Sequence, residues 1–519
     1  MSTSTSSWIN TILPLPRPEY AKQPESLLTD LLWHSKGSNL SSIPTGNGTY
    51  LDELTKLRQD KKDPPTDRLI PLRTRGGKSS TTETIPIAEG TSISATIASD
   101  SASQELLRAL LESILAPRSR GDRSLTCVPI HPDAVVLQTL QGLVNKDNPP
   151  DLAKAIEVVG WLGGSSGQGH VASLFLEAFN RRAGISEGLT GLLDNSFPVV
   201  AQYTWSTLTS RAASSSQRPP AWPSVSSLPI SVASPSALAN STRTPFYWFW
   251  KKWSVLCNEA NGWYDRLPTR RFVDWATCLL RTGLAFAYLW EANFFCQIHS
   301  VIMERSKSPG ETQAMSSLRS VIREGSVLAT IESPQLPATK KNAWNALSNL
   351  LARGYVARKA FEDHFLEEEV PFPASPGDDV EVTVEKWIDS LAASGSLAKF
   401  AVPLQIGSQT ANNAREFVRY LLQPRSSNDD SADQADFYYL ARTNSRSSWF
   451  QPGPEWLVVV TSLLCGRVGG QCTLGMLLDD LAQLGIRVER WILVGMLENA
   501  GLSVDSPDAD NALLIHSGF

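Results

Sequence analysis

Apolar positions recur at helical spacing over most of this chain, in stretches separated by segments of Ser, Pro and small polar residues. Short helical pieces are predicted at Pro24–His34 and Tyr50–Gln59. Thr81–Ser99 alternates apolar and small polar residues and reads as extended. From Ser103 the pattern turns helical: Leu106, Leu107, Leu110, Leu111 and Ile114 share a face ahead of Pro117, and similar stretches follow at 133–145, 151–162 and 170–183. Residues 212–245 are dominated by Ser, Pro and Ala and read as a linker. Helical pattern resumes at Pro245 and continues to about 305, then over 311–325, 339–369, 383–394 and 410–422. The fold class expected is mainly α and multidomain, a helical body with some extended N-terminal segments.

The division that follows is a Pro/Ser/Thr-rich region over 1–100, a helical domain over 101–211, the linker, an aromatic-rich helical domain over 246–425, a polar insertion and connector over 426–448, and a C-terminal module over 449–519. In Pro245–Cys257, Phe246, Phe249, Trp250 and Trp253 form one helical stripe, while Lys251 and Lys252 are expected to point elsewhere. Aromatics interleaved with lysines are a pattern that stacks single-stranded bases, but a stripe at this spacing is first of all a core face. The next helix, Arg270–Glu304, is apolar on nearly all sides and is expected at the centre of its domain.

In the module, Glu455–Cys465 predicts a first helix and Thr473–Leu484 a second, with Thr473 as N-cap and Leu474, Leu477, Leu478 and Leu481 on one face. A turn at Gly485–Ile486 precedes a third helix, Val488–Ala500, and two strands, Leu502–Val504 and Ala512–His516, are expected around a Ser-Pro-Asp turn. This order resembles the winged-helix family of the helix-turn-helix superfamily. In its DNA-binding members the third helix enters the major groove and basic residues contact phosphate, which would single out Arg487 and Arg490. Residues 455–519 nevertheless carry only three basic side chains, with Arg467 the third, against eight acidic ones. An excess of acid opposes phosphate binding and favours docking to protein.

Charge and cysteine content narrow the classes. With 47 Lys+Arg against 52 Asp+Glu, the net charge of -5 argues against a protein that coats nucleic acid. The opposite balance is local: Lys56–Lys78 holds eight basic and three acidic residues, an arm in which Lys61, Lys62, Arg73 and Arg75 are the candidates for nucleic-acid contact. Six cysteines without a CxxC pair indicate neither a disulfide framework nor a zinc site, so reduced thiols in a cytoplasm are expected. Neither a secretory leader nor a membrane span is expected: Arg281 and Glu291 interrupt the most apolar stretch, far short of the roughly 18 apolar residues a span needs.

Several catalytic patterns come close. Gly163-Gly164-Ser165-Ser166-Gly167 matches a nucleophile elbow, with His516 as a late histidine, but the residues before it have helical spacing where an elbow needs a strand. Gly77-Lys78-Ser79 resembles the end of a P-loop, yet Leu72 stands where the first glycine is required. Asp429, Ser431 and Asp433 begin like a calcium loop that Gln434 and Leu440 then break, and His364 stands among carboxylates without a second histidine. No metal or cofactor is therefore expected. The reading that results is a non-catalytic adaptor or scaffold subunit of a larger cytoplasmic, nucleic-acid-associated assembly, bound to other protein subunits. Its alternative is a DNA-binding regulator acting through Arg487 and Arg490 or the basic arm, and a third is an enzyme, such as a hydrolase built on Ser165.

Overall fold

The computed structural model describes residues 15–16, 27–28, 31, 69–72, 83–86, 115–116, 126–127, 152–165, parts of 171–178, 243–308, 310, 312–368, 380–424, 437–444, 447–502 and 513–519. Near the N-terminus β1 (Leu69–Leu72) pairs antiparallel with β2 (Glu83–Pro86), and β3 (Leu115–Ala116) with β4 (Thr126–Cys127). Two expectations change here. Leu69–Leu72, read as part of a solvated arm, is a strand, its apolar residues sharing a ladder with Thr84 and Ile85. Leu115 and Ala116, read as the end of a helix, pair with Cys127 and Thr126 instead, so cross-strand hydrogen bonding replaces helical bonding just before Pro117.

The helical body begins with α1 (Leu152–Leu162), which ends where Gly164 adopts a left-handed φ of 103°. Helix α2 (Pro245–Cys257) starts at Thr244, whose hydroxyl accepts from the Tyr247 N–H, and carries Pro at its first position, where no N–H is missed. A short α3 (Trp263–Arg266) leads into α4 (Thr269–Arg305), 37 residues long, or about 55 Å at the usual rise. It is followed by α5 (Gln313–Arg323), α6 (Ala343–Glu368), α7 (Val380–Ala393), α8 (Leu397–Phe400) and α9 (Asn412–Leu422). Helix α4 is the axis of the body, as its all-round apolar sequence predicts, with α1, α2, α5, α6 and α9 packed around it.

Two details show how α4 can be central and still carry charge. Its buried Arg281 donates from Nε to the Leu421 carbonyl at 3.0 Å and from Nη2 to the Gln423 carbonyl at 2.8 Å. The guanidinium thus satisfies carbonyls that the end of α9 leaves without helical partners. Buried Glu291 faces Arg358 of α6 at 2.7 Å, close to where the two helices nearly touch. A Cβ on Gly354 would lie 2.4 Å from the Ala292 Cα, so this crossing requires glycine.

A sheet that the sequence pattern did not predict ties the body to its C-terminal part. Its order is β6 (Ala441–Thr443), β7 (Ser448–Phe450), β5 (Ala329–Ile331) and β9 (Ile486–Val488), with β5 parallel to both neighbours. The C-terminal part runs α10 (Pro454–Leu464), β8 (Gln471–Thr473), α11 (Leu474–Leu484), β9, α12 (Arg490–Asn499) and β10 (Leu514–His516), with β8 and β10 antiparallel. Thr473 caps α11 as expected, accepting from the Met476 N–H. Leu502 is not in a strand, although its carbonyl accepts from the His516 N–H; Val504 lies outside the described residues. Buried apolar residues from Leu15 to Ile515 form one contiguous cluster, to which α1, the body and the C-terminal part all contribute.

Candidate functional site

The third helix of the C-terminal part is positioned by backbone chemistry. Gly485 closes α11 in a left-handed conformation, φ 92°, with 2.9 Å between a notional Cβ and the Ser326 carbonyl oxygen. The chain then swings beside β5, so that Arg487 pairs with Thr330 in a strand. This corrects the expectation that Arg487 lies on the third helix: parallel pairing with β5 engages the backbone of 486–488, and α12 begins only at Arg490. Helix α12 buries Ile492, Leu493 and Leu497. It turns Trp491 outward, 57% exposed, where the indole N–H donates to Glu489. Arg487, Glu489, Arg490 and Glu498 are exposed around it. The other candidates, Lys61, Lys62, Arg73 and Arg75, lie outside the described residues, as do Gly77–Ser79, the linker as far as 242 and the insertion over 426–436.

This part is fastened to the body by polar contacts of α10 and α11. Lys252 Nζ lies 2.8 Å from Asp480 Oδ1, both side chains essentially without exposure, and Trp248 Nε1 donates to the other carboxylate oxygen at 2.9 Å. Lys252 therefore does not point away from the aromatic stripe as expected. At about 100° per residue it falls among Trp248, Phe249, Trp253 and Leu256, all of them buried, and Asp480 makes that position tenable. Burial pushes the Lys252 ammonium below its ordinary range despite the pull of Asp480. Arg271 pairs with Glu455 at 3.0 Å and Trp456 Nε1 donates to Thr282 Oγ1 at 3.0 Å. Among the described residues, two carboxylates of this part, Glu455 and Asp480, thus answer cations of the body.

The Cys465 thiol reaches the Ile515 carbonyl oxygen at 3.8 Å, and Ile515 is the β10 residue that pairs with Cys472 of β8. A second buried network joins Arg358 to Glu291 and Glu362, at 2.7 and 2.9 Å, and donates from Arg358 Nη2 to the Leu15 carbonyl. Burial raises the Glu291 carboxyl to about 7 against the opposing charge of Arg358. Ser165 follows helix α1, and its N–H bonds the Gly160 carbonyl, so the strand of a nucleophile elbow is not present there. Among the described residues no three His, Cys, Asp or Glu side chains are grouped to hold a metal ion, and no helix is long and apolar enough to cross a membrane.

Trp491, the Lys252–Asp480 pair and the convergence of Cys465 and Cys472 on Ile515 are not among the features singled out from sequence. Trp491 was legible in principle, since it falls off the arc defined by Ile492, Leu493 and Leu497. The other two depend on contacts between residues far apart or on a loop whose closure spacing does not reveal. Comparison of the chain with protein-family models, curated proteins and solved structures found no match.

Proposed function

We propose that this chain is a non-catalytic adaptor or scaffold subunit, and that residues 449–519 are a winged-helix module that docks protein rather than duplex DNA. The observation that carries the reading is the outer face of α12, where the largest apolar side chain of the helix, Trp491, is held out to solvent instead of joining the core. Exposed tryptophan flanked by arginine is the composition of residues that dominate binding energy at protein interfaces. The arginines beside it are interleaved with Glu489 and Glu498, and the module as a whole keeps an excess of acid. Such a face repels a polyphosphate and suits a partner of mixed charge with an apolar pocket.

The alternative, a regulator that binds DNA, draws on Arg487 and Arg490, which stand exposed where the chain enters the third helix. Affinity purification of the full chain under native conditions, with and without nuclease, separates the two readings when repeated with Trp491→Ala. On the adaptor reading, a set of proteins survives nuclease and is lost with Trp491→Ala, because a central interface tryptophan is worth about 2 kcal/mol or more, some thirtyfold in affinity. Partners that vanish with nuclease, together with duplex binding near 10⁻⁸ M at physiological salt, which is roughly the specific range, would replace it by the regulator.

A further inference from the structure

Cys465 and Cys472 are brought together by a loop built to return on itself. Cys465 ends α10, its N–H bonding the Thr461 carbonyl at 3.0 Å. The chain then turns through Gly466 and Gly469, both with positive φ. Gly470 comes back so near that a Cβ placed on it would lie 2.5 Å from the Cys465 carbonyl oxygen. Two residues later Cys472 stands in β8 opposite Ile515 of β10, and the Cys465 thiol reaches that same Ile515, 3.8 Å from its carbonyl oxygen. The two cysteines therefore converge on one backbone position, Ile515.

From this geometry we propose that Cys465 and Cys472 are a redox modification site, a dithiol that a peroxide converts to an intramolecular disulfide. The two cysteines differ in access. Cys465 is half-buried, whereas Cys472 is buried. They differ in acidity as well: the neighbouring Cys472 thiol, helped by the Lys252 charge, lowers the Cys465 thiol, while Cys465 and burial raise Cys472. Cys278 and Cys296 are single buried thiols raised by desolvation, to about 12 and about 11. Cys465 is thus the attacking sulfur and Cys472 the resolving one.

The chemistry balances. The Cys465 thiolate attacks one peroxide oxygen, the O–O bond breaks, and the departing hydroxide takes up the thiol proton as water, leaving a sulfenic acid. The Cys472 sulfur then attacks the Cys465 sulfur, the S–O bond breaks, and hydroxide leaves with the Cys472 proton as a second water. Two thiols are oxidised by two electrons and one hydrogen peroxide is reduced to two waters.

The test uses the full-length reduced protein treated with hydrogen peroxide, then denatured, alkylated and mapped by mass spectrometry. The expected result is joint loss of alkylation at Cys465 and Cys472, a peptide linked between them, and recovery of both thiols with dithiothreitol, while Cys257, Cys278 and Cys296 stay alkylatable. With Cys472→Ser the same treatment leaves a sulfenic acid at Cys465 that dimedone traps. As a measurement independent of any variant, iodoacetamide should modify Cys465 in the untreated native protein at least about tenfold faster than Cys278, as a more exposed thiolate requires. Equal rates at the two positions, or oxidation that joins Cys465 to another cysteine or another chain, would overturn the assignment.

Discussion

Replacing the two members of the Lys252–Asp480 pair separately and together tests how the C-terminal part is held to the body. Lys252→Met leaves a carboxylate of about 2% exposure with the Trp248 indole as its remaining partner shown. Removing one partner of a buried ion pair costs about 3–5 kcal/mol, since the other charge stays out of water uncompensated. Asp480→Asn keeps an acceptor for Trp248 but strands the ammonium, which burial already pushes toward losing its proton. Proton release sets the ceiling on that electrostatic penalty. A lysine that binds its proton at 10.5 when unfolded can be neutralised at pH 7 for about 5 kcal/mol and at pH 9 for about 2 kcal/mol, at 1.36 kcal/mol per pH unit. The Asp480→Asn penalty should therefore shrink as pH rises. The double variant, Lys252→Met with Asp480→Asn, carries neither charge and keeps the Trp248 bond, so it should lie within about 1–2 kcal/mol of the parent. Opening free energies from hydrogen exchange of the α11 amides, Leu474–Leu484, report this locally without assuming that the whole chain unfolds in one step. Single-variant costs that simply add up in the double variant, to within about 0.5 kcal/mol, would refute the coupling.

Two further outcomes follow from the body. Glu291, raised from 4.5 to about 7, binds more protons folded than unfolded, so stability should fall as pH rises between those values, by about 3 kcal/mol in all; denaturant titrations at pH 5 and pH 8 should show that loss in the parent and a flatter profile in Glu291→Gln. Gly354→Ala should lower stability by about 1–3 kcal/mol, since its new methyl meets the backbone of Ala292 and not a side chain able to rotate away; thermal unfolding would read this, and an unchanged melting temperature would mean that the two helices do not approach so closely.

What the pattern of residues reveals here depends on the range of the forces involved. Helices α2, α4, α5, α6, α7 and α9 lie close to their expected places, because an amphipathic or all-apolar period is written into each segment and needs no partner to be read. The strands β5, β6, β7 and β9 are three residues each, too short for an alternation to stand out; β6 and β7 pair locally, but β5 joins both β7 and β9 from more than a hundred residues away. Lys252 misled for a related reason. Its neighbours in sequence make it an exposed lysine, and only Asp480, from the other end of the chain, makes it an interior one. At the candidate interface the two arginines could be singled out from their type, but Arg487's place in a strand follows from Gly485 meeting the Ser326 carbonyl, a contact that no local pattern encodes.

The anchoring of α11 on α2 also sets a schedule for synthesis. Trp248 and Asp480 are separated by 232 residues, which a ribosome takes on the order of 10–50 s to add at 5–20 residues per second. Helices α1 and α4 are available to pack on α2 early, but throughout that interval Trp248 and Lys252 have emerged without the carboxylate that will partner them. A nascent chain in this condition carries a lysine and an indole N–H facing a site whose acceptor has yet to be made. That contact closes only once α11 has been made.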